Sequence, residues 1–238
     1  MKNIQSFFIA LLLSIMTASC ASQQFEPVDP GVYEIEVDAS HRYTISIPEN
    51  YTGEKSVPLV LALHYGGHGA PFYGKFILTD MVEPALRELG AIIVSPDCPA
   101  SDWTQPESEE FVLDLLEEIQ ANHNIDENKI LVTGYSMGGM GTWHFAASHP
   151  EVFAAGVILA GMPPDNFLEI EWDVPLYVIH GRNDEVLPID PTLAVVAQLQ
   201  SQGEEIKLKI LEGVTHYETH LFVDELKSTI PWMMEITN

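Results

Sequence analysis

From Pro58 onward, short and nearly continuous apolar runs alternate with longer amphipathic stretches, and this alternation limits the possible folds more than any other feature of the chain. The runs are Leu59 to Leu63, Ala91 to Ser95, Ile130 to Thr133, Ala155 to Leu159, Leu176 to Ile179 and Ile206 to Leu211. A strand with one wet face alternates apolar and polar residues, whereas a strand covered on both faces does not, so these runs suit a parallel sheet with helices on each side. The stretches between them read as helices over Leu78 to Leu89, Ser108 to Asn122, Met137 to Ser148, Thr192 to Gln202 and Leu221 to Met234. In the second of these, Phe111, Val112, Leu115, Leu116 and Ile119 form one apolar stripe. Ahead of this region, Tyr33 to Val37 and Tyr43 to Ile47 do alternate, with Asp38 to His41 between them, which predicts an antiparallel hairpin. The reading is an α/β chain: a mostly parallel, doubly wound sheet with antiparallel strands added at its N-terminal side.

The N-terminus carries a different message. Lys2 is followed by an apolar run from Phe7 to Met16 and then by the small residues Thr17, Ala18 and Ser19, Cys20 and Ala21. Such a run is short of the roughly 20 residues of a membrane span and fits a signal peptide over residues 1–19. The chain is thus expected to be exported. Thr-Ala-Ser-Cys resembles a bacterial lipobox, which makes Cys20 the candidate for lipidation and membrane attachment. Thr17 stands where that pattern has Leu, which leaves ordinary cleavage near Ser19 or Ala21 as the alternative. Residues 20–30 read as a tether and 31–238 as one domain of ordinary size.

Composition narrows the partners. With 35 acidic residues against 10 Lys and Arg, the net charge of −25 repels phosphate backbones, so nucleic acid is a poor partner and none is expected. Cys98 is the one cysteine besides Cys20, so no disulfide framework is expected.

The chemistry centres on Gly134-Tyr135-Ser136-Met137-Gly138, which lies between a strand and a helix. A serine in that context sits on a sharp turn with glycines where side chains would clash, and the helix behind it favours developing negative charge. A serine hydroxyl is a weak nucleophile, so a base must take its proton and an acid must orient the base. Asp184 follows the run ending at Ile179, with Glu185 and Asp190 as competitors. His216 follows the last run, with His220 on the next helix as competitor. Both lie at carboxyl ends of strands, where open α/β sheets hold their sites. The pairs His64 and His68, and His216 and His220, lack the order and helical placement of a zinc peptidase motif, so no metal is expected.

Taken with Leu63-His64-Tyr65-Gly66-Gly67, Pro96-Asp97-Cys98-Pro99, Trp103, the extension Gly139-Met140-Gly141-Thr142-Trp143 and Phe153-Ala154-Ala155, this segment resembles the α/β-hydrolase esterases. That group includes feruloyl and acetylxylan esterases, polyhydroxybutyrate depolymerases and the phospholipase/carboxylesterase enzymes. The resemblance runs from about Val57 to the C-terminus. It implies an oxyanion hole made by the backbone N–H groups of Tyr65 and Met137, with Gly66 the alternative because Tyr65 stands where the pattern has Gly.

The resemblance further implies acyl transfer through an acyl-enzyme on Ser136, with no cofactor, acting on small-molecule or polysaccharide-linked esters. About fourteen residues, Gly161 to Val174, separate two apolar runs where many lipases insert a lid, so no large lid is expected. Tyr65, Trp103 and Trp172 are the candidates for aromatic surfaces at the mouth. Two rival readings are a peptidase of the prolyl-oligopeptidase kind and a binding lipoprotein that kept the fold without the chemistry.

Overall fold

The computed structural model describes residues 27–67 and 70–237. The expected signal peptide, Cys20, most of the expected tether and His68 lie outside the described residues. Eight strands form one sheet: β1 (Gly31–Glu36), β2 (Arg42–Ile47), β3 (Val57–Leu63), β4 (Ile92–Pro96), β5 (Ile125–Tyr135), β6 (Ala155–Leu159), β7 (Leu176–Gly181) and β8 (Ile206–Leu211). Their order across the sheet is β1-β2-β4-β3-β5-β6-β7-β8. The hairpin β1–β2 is antiparallel and joins antiparallel to β4, and every other pairing is parallel.

The continuous apolar runs have the cause the alternation suggested. Along β3, Leu59, Leu61 and Leu63 enter one core cluster while Val60 and Ala62 enter another on the opposite face. In β5, Ile130 and Val132 go one way and Leu131 and Tyr135 the other. Each central strand therefore buries both of its faces. Edge strand β8 departs from this, since Lys207 and Lys209 leave the sheet's surface half wet, as suits an edge.

Helix ends differ from the sequence reading, and proline explains most of the differences. Helix α3 (Pro106–Asn122) begins at its proline, and α5 (Ile189–Gln202) holds Pro191 within its first turn. In both places the missing N–H has no intrahelical acceptor to lose. The single helix expected over Leu221 to Met234 is two, α6 (Leu221–Ser228) and α7 (Ile230–Ile236), parted at Thr229. Pro231 would clash with the carbonyl four residues back if the helix ran straight.

The segment expected from Leu78 starts earlier. It consists of α1 (Gly74–Ile77), a π turn over Leu78–Val82, α2 (Glu83–Leu86) and a 3-10 turn over Arg87–Leu89. Its start is fixed from outside: Asp97, after β4, accepts the N–H of Phe72 at 2.7 Å and of Gly74 at 2.9 Å. Helix α4 (Met137–Ser148) runs as read. No large lid stands over the sheet among the described residues; the link between β6 and β7 holds one 3-10 turn, Phe167–Glu169.

Candidate active site

Ser136 sits between β5 and α4 with φ 58° and ψ −115°, a conformation that strains any side chain by roughly 1–3 kcal/mol. The surroundings dictate it. The Ser136 N–H donates to the Leu159 carbonyl of β6 at 2.9 Å. A Cβ on Gly138 would lie 1.9 Å from the Leu63 carbonyl oxygen, and one on Gly134 would lie 2.3 Å from the Gly138 carbonyl oxygen. Strands β3 and β5 and the first turn of α4 therefore meet backbone to backbone, and Ser136 is lifted to the carboxyl edge of the sheet.

Loops after β7 and β8 bring two further groups to that edge. His216 Nε2 lies 2.9 Å from Ser136 Oγ, and His216 Nδ1 lies 2.6 Å from Asp184 Oδ2. A carboxylate only accepts, so the proton is on Nδ1 and Nε2 faces the serine hydroxyl as an acceptor. The other oxygen of Asp184 accepts the N–H groups of Val186 at 3.0 Å and Leu187 at 2.7 Å. Asp184 and His216 are both buried. The competitors fall elsewhere: Glu185 accepts the His216 backbone N–H at 3.1 Å, while Asp190 and His220 are exposed at helix starts.

A second imidazole backs Asp184. His180, fully buried, donates from Nε2 to the Leu187 carbonyl at 2.8 Å, and the same nitrogen lies 3.4 Å from Asp184 Oδ2. Burial lowers its pKa below the usual histidine value, so it stays neutral and does not compete as a cation for Asp184.

The loop after β3 is held by two buried side chains acting on successive peptide planes. Trp103 Nε1 donates to the His64 carbonyl at 2.9 Å, and His64 Nδ1 donates to the Tyr65 carbonyl at 2.7 Å. His64 Nε2 in turn accepts the Cys98 N–H at 3.0 Å, which fixes the tautomer. Burial lowers the His64 pKa as well. In a trans peptide the N–H opposes the carbonyl, so the first bond aims the Tyr65 N–H and the second the Gly66 N–H. Across from them, Met137 is the first residue of α4, and its N–H has no acceptor within the helix.

This bracing corrects the reading of two tryptophans. Trp103 and Trp172, expected as surfaces at the mouth, are both buried. Trp103 braces the loop from beneath, and Trp172 packs edge-on against Trp143 at 5.3 Å with its N–H bound to the Phe167 carbonyl. An indole keeps its large apolar face out of water wherever a carbonyl can take its N–H, and both found one. Tyr65 does line the open cavity of about 570 Å³ beside Ser136 and His216. Its other apolar walls, Met140, Val186, Leu187 and Tyr217, were missed by sequence reasoning. Their one signal was position, within a few residues of Ser136, Asp184 and His216.

An eight-stranded sheet of this order, with a serine elbow following its fifth strand, defines an α/β-hydrolase. Within that class the chain belongs to the dienelactone hydrolase family, whose profile matches residues 100–220. It is 26% identical over 167 residues to feruloyl esterase C of Emericella nidulans, covering 67% of this chain and 60% of that protein. It is 26% identical over 159 residues to the bifunctional acetylxylan esterase/xylanase of Neocallimastix patriciarum, covering 65% of this chain and 23% of that one. The chain spans 60% to 67% of the length of the feruloyl esterases it matches. Among solved structures, a thermostable esterase superposes with a TM-score of 0.72 at 24% identity, over 87% of this chain and 63% of that one. A ferulic acid esterase superposes with a TM-score of 0.69 at 18% identity, over 83% and 93%. At these identities the superpositions establish the fold.

Proposed function

We propose that the protein is a serine hydrolase of carboxylic esters, with Ser136 as nucleophile, His216 as general base and Asp184 as the acid that orients it. The observation that carries this reading is the relay Asp184 Oδ2, His216 Nδ1, His216 Nε2, Ser136 Oγ, linked at 2.6 Å and 2.9 Å on a strained strand-to-helix turn. His216 takes the hydroxyl proton as Ser136 attacks the ester carbonyl. The tetrahedral oxyanion is received by the N–H of Met137 and that of Tyr65 or Gly66, and each such donor is worth ~10²–10³ in turnover. His216 then protonates the leaving alcohol, and water attacks the acyl-enzyme by the same route in reverse.

The similarity to feruloyl and acetylxylan esterases supports feruloyl- or acetyl-type esters, soluble or carried on carbohydrate, as the substrate class. The cavity is open and apolar around Tyr65, Met140, Val186 and Tyr217, and so fits the apolar arm of such an ester. Export with cleavage before Cys20, lipidation of that cysteine and a catalytic domain over 31–238 complete the proposal. The intact mass of the mature protein tests this part, because an unmodified N-terminus at Cys20 or Ala21 contradicts the lipid anchor.

Hydrolysis of methyl ferulate and a p-nitrophenyl ester series, beside Ser136→Ala, tests the chemistry. Activity that the substitution abolishes is the expected result. A folded wild-type protein that hydrolyses no ester in the series contradicts it.

A further inference from the structure

Tyr135 stands immediately before Ser136, yet its hydroxyl turns toward the loop that carries the base. It donates to the His216 backbone carbonyl at 2.5 Å. From the other side, Glu185 Oε2 accepts the His216 N–H at 3.1 Å. With Asp184 on the ring, His216 is held at three points by three side chains.

Few other hydrogen bonds reach His216 itself. Gly213 has φ 79° with open space around its Cα, and Tyr217 is 74% exposed. The other ties act on its neighbours: the Asn183 N–H on the Val214 carbonyl at 3.0 Å, the close approach of Gly181 to that carbonyl, a turn at Val214, the Arg182–Glu212 ion pair at 3.2 Å, and Glu218 closing on Thr215. Tyr135, by contrast, is fixed. Its ring meets Phe222 edge-on at 5.1 Å and Tyr65 at 6.4 Å, so it touches α6, the oxyanion loop and the base loop from the strand that bears the nucleophile. Burial, followed by the nearby Asp184 and Glu185 carboxylates, raises its pKa well above the ordinary phenol value, so the donor proton stays in place.

We propose that Tyr135 is a positioning residue for the base: its hydroxyl, with the Glu185 carboxylate as second holder, sets the distance between His216 Nε2 and Ser136 Oγ. The proposal rests on the Ser136 and His216 reading given above. Proton transfer needs the two atoms within hydrogen-bond reach, and a misplacement of about 1 Å is enough to lower a rate ~10²-fold.

Tyr135→Phe keeps the ring contacts and removes one hydroxyl. Turnover per active site, counted by fluorophosphonate titration, is expected to fall about 10-fold with KM within twofold of wild type. The rate of fluorophosphonate labelling should fall in parallel. Glu185 is exposed, so Glu185→Ala leaves the core intact and should show a smaller loss of the same kind. Because both side chains hold one residue, the double variant should lose more than the product of the two single losses.

A merely structural role would reduce the number of titratable sites and leave turnover per site unchanged. That result, or single losses that simply multiply, overturns the positioning role while leaving the serine hydrolase intact. Should Tyr135→Phe not fold, Glu185→Ala decides alone: turnover per site within error of wild type overturns the proposal. A wild-type protein that takes up no fluorophosphonate overturns both the proposal and the reading beneath it.

Discussion

Two halves of the site are built by different means. On the Ser136 side, β3, β5 and α4 meet through backbone atoms, with the Gly134 and Gly138 positions too close to neighbouring carbonyls for any side chain. On the Asp184 and His216 side, the loops after β7 and β8 approach through backbone at one point, Gly181 against the Val214 carbonyl, and are otherwise held largely by side-chain hydrogen bonds that Asp184 and Glu185 accept and Tyr135 and His180 donate. Steric packing of backbone against backbone has no soft degree of freedom, whereas side-chain hydrogen bonds can be removed singly. The first half should therefore fail by unfolding and the second by losing rate.

Gly138→Ala is the severest way to break this contrast. Its Cβ would meet the Leu63 carbonyl oxygen at 1.9 Å, and no rotamer relieves a Cβ. A loss of more than about 4 kcal/mol is expected, read as absence of soluble protein or a large fall in the urea midpoint. A variant of near wild-type stability would contradict the steric account.

Asp184→Asn probes the other half. The amide can still accept the Val186 and Leu187 N–H groups through its oxygen, but its nitrogen then faces His216 Nδ1 and forces the proton onto Nε2, the wrong tautomer for a base. Turnover should fall about 10⁴-fold while the thermal midpoint shifts by only a few degrees. A collapse of stability of the Gly138→Ala kind would show that the two halves are built alike.

How much of this was legible in the sequence follows the same division. The strands announced themselves because each central one buries both faces, as Leu59 to Leu63 does. Ser136, Asp184 and His216 could be placed at strand ends by chain order, and the structure brings those three within hydrogen-bond reach of one another. What stayed hidden depends on partners distant in sequence. Asp97 starts a helix 23 residues earlier, and Trp103 turns inward because the His64 carbonyl, 39 residues away, takes its N–H. Proline positions explain the helix ends that were misread: the helices read from Ser108 and Thr192 begin earlier and take Pro106 and Pro191 into their first turns, while Pro231 breaks what read as one helix.

The smallest effect concerns pH and touches both halves. His64 braces the loop after β3 and His180 the loop after β7, and burial lowers both pKa values from 6.5. The unfolded chain takes up protons near pH 6.5 that the folded one refuses, so their stabilisation is full above that pH and is lost as pH falls below it. Each contributes a slope of up to about 1.4 kcal/mol per pH unit in that window. Urea midpoints measured from pH 7.5 down to 5 should decline, and His180→Gln should flatten the decline by about one proton. An unchanged slope in His180→Gln would remove His180 from the account.

The central claim, that Ser136 is an activated nucleophile, is tested most directly by reacting the mature protein with a fluorophosphonate and mapping the adduct by peptide mass. The account predicts one equivalent per chain, on Ser136, abolished in Ser136→Ala and slowed in His216→Ala. Labelling at any other residue, or none on a folded wild-type chain, would contradict it.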